Sequence, residues 1–191
     1  MNYLAHLHIA DHCQSSLLGN LLGDFVRGNP ESQYPAYISQ GVRLHRFVDS
    51  FTDSHPLVLE SKSLFPQGVR RFSGIALDMF WDHSLAKRWG EFHSVELSHF
   101  CHLAQNEIRT QANQTLPDSF IRTSNAMWNG GWLESYQQLE NIEFALKRMS
   151  QRRPTMGVLA ECFPYLEKNY RDLNEVFTCF YPEILTASKR F

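Results

Sequence analysis

The sequence predicts an all-α fold, a single-domain helical bundle of about seven to eight helices. Apolar residues recur at spacings of three and four through most of the chain, and alternating β-branched runs joined by hairpin turns are missing. Proline and glycine punctuate the sequence without isolating a linker. The 191 residues are about one domain's worth, so we assign residues 1–191 to one unit.

The first half of the chain predicts three helices after its opening segment. Residues 3–9 alternate apolar and polar side chains, which also fits a strand, but no other segment could pair with one, so a helix is favoured. An apolar stripe over residues 17–26 predicts a helix that ends at Gly28. Residues 38–51 repeat the pattern up to a break near Pro56, and a short helix over 57–64 follows.

Residues 70–89 leave almost no polar face, so this segment is predicted to be the central, buried helix. The second half of the chain continues in helices. Their predicted ranges are 95–112, 117–128, 132–149 and 158–180.

Composition excludes several classes of protein. With 43% hydrophobic and 20% charged residues the chain is not a disordered one. A formal charge of −2 gives no net attraction to nucleic acid or to anionic membranes, and no apolar run approaches the length of a membrane span. The four cysteines form no CxxC pair, so we expect reduced thiols. Together with the charge and the hydropathy, this predicts a cytoplasmic protein that binds neither nucleic acid nor membrane.

Carboxylates stand in the most apolar segment. Asp78, Asp82 and His83 lie in the predicted central helix, and the two aspartates are one turn apart. A buried carboxylate is so costly that it must become neutral, pair with a cation or bind a metal.

Two further helices present acidic stripes. His45, Asp49 and Asp53 follow one another at four-residue steps, and Asn20 and Asp24 are also one turn apart. Imidazole nitrogen together with carboxylate oxygen is a ligand mixture suited to Mn²⁺, Fe²⁺, Zn²⁺ or Mg²⁺. The alternative is structural: the aspartates of the central helix could pair with Arg43, Arg46, Arg70 or Arg71.

Arginines stand near these acidic stripes. Arg27 follows Asp24 by three residues, and Arg43 and Arg46 flank His45. Guanidinium groups beside a metal could hold an anionic substrate, which favours phosphoester hydrolysis with a metal-activated water. Each arginine could equally be a surface charge or one half of an ion pair.

Six ordered motifs together resemble one known family, that of acyl carrier protein phosphodiesterases, over nearly the whole chain. They are Met1-Asn2-Tyr3-Leu4-Ala5-His6-Leu7, the stretch from Ser16 to Gly28, Leu44-His45-Arg46-Phe47-Val48-Asp49, Leu77-Asp78-Met79-Phe80-Trp81-Asp82-His83, Ser150-Gln151-Arg152-Arg153-Pro154 and Phe180-Tyr181-Pro182. The family is similar to HD-domain phosphohydrolases, although the Asp82-His83 pair reverses the usual His-Asp order.

The resemblance implies a metal-dependent phosphodiesterase that releases phosphopantetheine from a serine of holo acyl carrier protein. It implies a divalent metal, usually Mn²⁺, with Mg²⁺ or Fe²⁺ as alternatives. Its catalytic residues would be Asp24, His45, Asp49, Asp78 and Asp82, which would also ligate the metal, with His6 and His83 as further ligands. Arg27 and Arg43 would bind the substrate phosphate.

The implied partner is a small acidic protein, which a basic patch near the site would help to dock. The candidates for this patch are Arg27, Arg43, Arg46, Arg70, Arg71, Lys87 and Arg88. Two rival hypotheses remain open at this point. One is an HD-type hydrolase of a nucleotide or another small phosphoester, and the other is a non-catalytic helical binding protein.

Overall fold

A computed structural model of the protein describes residues 1–111, 115–152 and 154–191. Throughout these residues the secondary structure is helical, which confirms the predicted all-α class. Thirteen α-helices and two 3-10 helices are present in this part of the chain. The 3-10 helices span Pro30–Ser32 and Pro154–Cys162. The α-helices are α1 (Tyr3–His12), α2 (Leu17–Leu22), α3 (Ala36–Ser54), α4 (Pro56–Lys62), α5 (Gln67–Arg70), α6 (Ser73–Lys87), α7 (Trp89–Phe92), α8 (Leu97–Thr110), α9 (Asp118–Asn129), α10 (Trp132–Ser135), α11 (Leu139–Ser150), α12 (Phe163–Lys168) and α13 (Tyr170–Ser188).

Two helices form the centre of the core. The predicted central helix corresponds to α6, whose Trp81 is fully buried between Phe177 and Phe180 of α13. The opening segment is a helix as favoured, and α1 is buried without interruption from Leu4 to Ala10. Because α1 packs against α2, α3, α6 and α13, a side chain on α1 can reach groups on several helices.

The crossing of α2 and α3 is made by two glycines. A β-carbon on Gly19 would lie 2.3 Å from the carbonyl oxygen of Ile38 and 2.9 Å from the α-carbon of Gly41. The two backbones therefore approach more closely than any side chain would allow. The hydroxyl of Ser16 accepts a hydrogen bond from the amide of Gly19 (3.0 Å) and caps the start of α2.

The helix predicted over residues 17–26 ends at Leu22, earlier than its apolar stripe implies. The chain turns after Leu22, and Arg46 of α3 donates hydrogen bonds to the carbonyls of Val26 (2.7 Å) and Gly28 (2.8 Å). These hydrogen bonds from α3 satisfy the carbonyls of the turn that follows α2. The tertiary contact thus stabilises a turn where the local apolar pattern predicts a helix.

Short helices account for the larger number of elements. The segment predicted over 132–149 is divided into α10 and α11, and the carbonyl of Tyr136 in the break accepts a hydrogen bond from His83. The segment over 158–180 is a 3-10 helix followed by α12 and α13, since Pro164 in the first turn of α12 has no amide hydrogen to extend a preceding helix. The predicted end at Ala112 and the motif residue Arg153 lie outside the described residues.

The described ranges contain no helix with the length and hydropathy that a membrane crossing requires.

Candidate functional site

Side chains from α1 and α3 meet around one carboxylate. Asp49 on α3 lies with Oδ1 3.1 Å from Nε2 of His6 and with Oδ2 3.0 Å from Nε2 of His45. One ligand atom from each of these residues lies within 4.8 Å of the other two. Three residues from two helices thus present nitrogen and oxygen donors to one small volume.

Two more carboxylates extend this group. Asp24, in the turn after α2, has Oδ1 3.4 Å from Nε2 of His45. Asp78 on α6 accepts a hydrogen bond from the amino-terminal ammonium of Met1 (2.8 Å), which also lies 3.5 Å from Asp49. We call His6, Asp24, His45, Asp49 and Asp78 the donor cluster.

The donor cluster has a buried side and an open side. The His6 and His45 side chains are only 2% and 3% exposed, whereas that of Asp24 is 56% exposed. The carboxylates line a cavity of about 210 Å³, which we call the acidic cavity. Its lining residues are Met1, Asn2, Asp24, Asp49, Asp53, Ile75, Asp78, Met79 and Met149. A ligand in this cavity would meet the carboxylates first.

The two imidazoles have pKa values shifted in opposite directions. Their rings stack at a centroid distance of 3.8 Å. Burial, together with the nearby charge of His45, lowers the pKa of His6 to about 4. Burial also disfavours a charge on His45, but hydrogen bonds to Asp24 and Asp49 outweigh it and raise the pKa to about 9. Although burial opposes it, hydrogen bonds from both imidazoles hold the pKa of Asp49 well below its usual range.

Local structure explains how these residues come together. His45 and Asp49 are one turn apart on α3, so they share a face. Gly23 lies under the ring of His45, and its lack of a side chain lets the turn containing Asp24 pass close to α3. His6 is placed through the start of α1, where a carboxylate on α6 holds the first amides of the helix.

That carboxylate is Asp82, a predicted ligand that lies outside the donor cluster. Its Oδ2 accepts the amide hydrogen of Leu4 (2.8 Å) and its Oδ1 that of Ala5 (3.0 Å). Asp82 is fully buried and caps α1, and it does not line the acidic cavity. Burial raises the pKa of Asp82 to about 7 even though both amides favour its charged form.

His83 is not brought to the donor cluster. Its Nδ1 lies 2.7 Å from the carbonyl oxygen of Tyr136, and its Nε2 lies 3.0 Å from the hydroxyl of Tyr170. The two neighbouring side chains thus lie in different places, that of Asp82 at the start of α1 and that of His83 against Tyr136 and Tyr170. Of the seven predicted ligands and catalytic residues, five thus form the donor cluster.

The predicted phosphate-binding arginines do not line the acidic cavity. Arg43 pairs with Glu31 (2.6 Å), and Arg27 is exposed on the loop after α2. The structural alternative is not observed either, since no arginine of the described residues forms an ion pair with Asp78 or Asp82, and Arg46 and Arg70 donate to backbone carbonyls instead. In the described residues the cation beside Asp78 is the ammonium of Met1.

Sequence reasoning missed a second cavity, of about 300 Å³, beside the donor cluster. We call it the aromatic cavity. Its lining residues are Asn2, Tyr3, Met79, Gly130, Trp132, Ser135, Tyr136, Asn141, Phe144, Ala145, Arg148, Met149 and Arg152. A phenylalanine on the polar face of the amphipathic α11, Phe144, is the signal in the sequence that could have indicated it.

The donor set fits a divalent cation. Imidazole nitrogen and carboxylate oxygen together suit Mn²⁺, Fe²⁺ or Zn²⁺, and both Nε2 atoms face the same carboxylate. The Nδ1 atoms of His6 and His45 are buried and have no hydrogen-bond partner within the described part of the chain. Each ring therefore makes its polar contacts through Nε2, with the carboxylates of the donor cluster.

Comparisons with known proteins agree on one family. The sequence profile of the family described as acyl carrier protein phosphodiesterase matches residues 1–184. Proteins of that name from Photorhabdus laumondii and Yersinia pestis are 42% and 43% identical to this chain, over 99% of it and over 96% and 98% of their own lengths. One from Escherichia coli O157:H7 is 38% identical over the whole chain and 98% of its own length. No solved structure matches. The chain belongs to the acyl carrier protein phosphodiesterase family.

Proposed function

We propose that this hydrolase cleaves the phosphodiester between phosphopantetheine and a serine of holo acyl carrier protein, with a divalent cation held in the donor cluster. The products would be apo acyl carrier protein and phosphopantetheine. The observation that supports this most directly is the convergence of His6, His45 and Asp49 at an open acidic cavity, in a chain of this family. Family membership disfavours the non-catalytic binding protein.

Within the cluster, His6, His45 and Asp49 would hold the cation. When bound, it supplies Lewis-acid polarisation of a phosphoryl oxygen. The remaining carboxylates, Asp24 and Asp78, line the cavity; Asp78 pairs with the Met1 ammonium, and Asp24 is open to water. Mn²⁺ is proposed on the mixed nitrogen and oxygen donors, with Mg²⁺ and Fe²⁺ as the competing ions in the test.

Hydrolysis adds the hydroxyl of water to phosphorus and a hydrogen to the serine oxygen. Asp24 is the exposed carboxylate at the cavity, so its Oδ atoms can accept the proton of the attacking water. To hold the cation, His45 would give up the Nε2 hydrogen that it shares with Asp24 and Asp49 in the metal-free protein. The buried imidazoles keep bulk water away from the far side of the cluster.

We also propose a docking surface and a cellular location. Docking of the acidic carrier protein would use the basic residues near the site, of which Arg27 is exposed and Arg43 and Arg88 already pair with Glu31 and Glu91. A cytoplasmic location is supported by cysteines that are all free thiols, as is usual in a reducing compartment.

Mass spectrometry of purified holo acyl carrier protein tests the proposal. Incubation with the enzyme and Mn²⁺ should remove the mass of phosphopantetheine, and EDTA should prevent this. Asp49→Ala should abolish the loss, while Asp172→Asn, an exposed change on α13, should behave as wild type. Parallel samples with Mg²⁺ and Fe²⁺ identify the working ion. An intact carrier protein after incubation with folded, Mn²⁺-loaded wild type would overturn the assignment.

A further inference from the structure

The acidic and aromatic cavities adjoin each other. Asn2, Met79 and Met149 line both of them, so these three side chains form the boundary between the cavities. Asn2 donates a hydrogen bond to the sulfur of Met79 (3.0 Å), which fixes one part of this boundary. The unbranched Met149 side chain forms another part and can change rotamer at low cost. A ligand with its phosphate at the donor cluster would reach the aromatic cavity by passing these side chains.

The walls of the aromatic cavity suit a chain that is partly apolar and partly amide. Trp132, Tyr136 and Phe144 supply flat apolar surface, whereas Asn141 and Ser135 supply polar groups. Asn141 is held in place by its hydrogen bond to the carbonyl of Ser135 (2.9 Å). Mostly apolar walls with a few fixed polar groups are typical of small-molecule sites.

The rim of this cavity is basic, in contrast to the acidic cavity. The guanidinium of Arg148 lies 5.9 Å from the ring centre of Trp132 and 5.7 Å from that of Phe144. Phe144 is 59% exposed, so its ring is accessible to a ligand from the cavity that it lines. Arg148 and Arg152 would attract an anionic ligand to a site whose other half is rich in carboxylates.

We infer that the aromatic cavity binds the pantetheine arm of the substrate while the phosphodiester lies at the donor cluster. This inference rests on the proposed function. The arm is a flexible chain of amide groups with a hydroxyl, a pair of methyl groups and a terminal thiol, which matches the mixture of walls described above. Phe144, Trp132 and Arg148 are then positioning residues for the arm, since they touch neither phosphorus nor the attacking water.

Binding of free pantetheine, which has no phosphate, tests the inference without catalysis. Calorimetric titration of the metal-free protein should show binding to wild type. Ala145→Phe, which fills the cavity, should weaken it at least about tenfold, as should Phe144→Ala. Phe144 is largely exposed, so its variant keeps the core even if Ala145→Phe does not fold. Lys147→Ala, on the exposed face of α11, is the matched control and should bind like wild type.

Kinetics with holo acyl carrier protein supply the second measurement. Phe144→Ala and Arg148→Ala should lower kcat/KM by about tenfold, with Mn²⁺ affinity measured separately to show that the donor cluster is intact. Wild type that does not bind pantetheine, or variants that bind it as wild type does, would overturn the inference. Variants that lose affinity for apo acyl carrier protein, which has no arm, would instead assign the cavity to the protein partner and also overturn it. Failure of wild type to cleave holo carrier protein while still binding pantetheine would overturn the proposed reaction alone.

Discussion

Gly23 and His45 are in direct contact, with the imidazole lying where a side chain on Gly23 would be. A β-carbon at Gly23 would lie 2.1 Å from Cδ2 and from Cγ of the ring. No real contact is that short, so any other residue at position 23 must displace His45. The turn after α2 therefore determines the orientation of the His45 ring on α3.

Gly23→Ala should displace His45 from Asp49 and Asp24. We expect Mn²⁺ affinity to fall by at least about tenfold, as outer contacts of metal sites commonly cost that much when changed. Stability should fall by about 1–3 kcal/mol, because the added methyl overpacks the site. Calorimetry measures the affinity and urea unfolding the stability. Gly68→Ala is the control, since a β-carbon there has no neighbour within 4 Å. If Gly23→Ala bound Mn²⁺ as tightly as wild type, the contact of Gly23 with His45 would not determine metal binding.

Asp82→Ala should destabilise the protein in the absence of any metal. The change leaves the buried amides of Leu4 and Ala5 without their acceptor, and each such loss costs about 1–3 kcal/mol. Asp82→Asn retains one acceptor oxygen and should cost less. Urea unfolding in EDTA makes the comparison. If Asp82 were a metal ligand instead of a cap, the metal-free variant would be about as stable as wild type.

Divalent cations should stabilise the folded protein through the donor cluster. A cation that binds only the folded state adds about 2.7 kcal/mol at a concentration one hundred times its Kd. Thermal unfolding should therefore shift to higher Tm with Mn²⁺ and return on adding EDTA. Asp49→Asn should remove the shift, because Asp49 contacts both His6 and His45. A shift of wild-type size in this variant would place the cation elsewhere.

His8 should make the protein less stable in acid. The residue is 1% exposed, with Nδ1 accepting from the Tyr181 hydroxyl (2.8 Å) and Nε2 donating to the Phe92 carbonyl (3.2 Å). Burial lowers the pKa of His8 to about 4, and the charges of His93 and His12 act in the same direction.

The sign of this effect follows from the lowered pKa. The imidazole of the unfolded chain takes up a proton below its ordinary pKa of 6.5, whereas the folded one does so only near 4. The free energy of unfolding should thus fall by up to about 3 kcal/mol as pH drops through that window, and be unaffected above it. Urea titrations of wild type and His8→Gln from neutral to acidic pH measure the difference. Parallel curves for the two proteins would show that His8 is not the cause.

Periodicity in the sequence predicts the all-α class and part of the site. The four-residue spacing of His45 and Asp49 predicts a shared face, and the apolar surroundings of Asp78 predict a core helix. These properties depend on a single helix, so local spacing determines them.

Features that depend on contacts between distant segments could not be predicted from periodicity. The early end of α2 depends on Arg46, and the capping role of Asp82 depends on where α1 meets α6. The break at Tyr136 likewise depends on a hydrogen bond from His83. The aromatic cavity was missed because its walls on α10 and α11 are joined to the acidic cavity only by packing.

The two cavities come from different parts of the chain. Every member of the donor cluster precedes residue 79, whereas most walls of the aromatic cavity belong to residues 130–152. A family with this arrangement can diverge in one half of its site while retaining the other. Substitutions in α10 and α11 would change which ligand is recognised, and selection on the reaction itself would fall on α1, α3, α6 and the turn after α2.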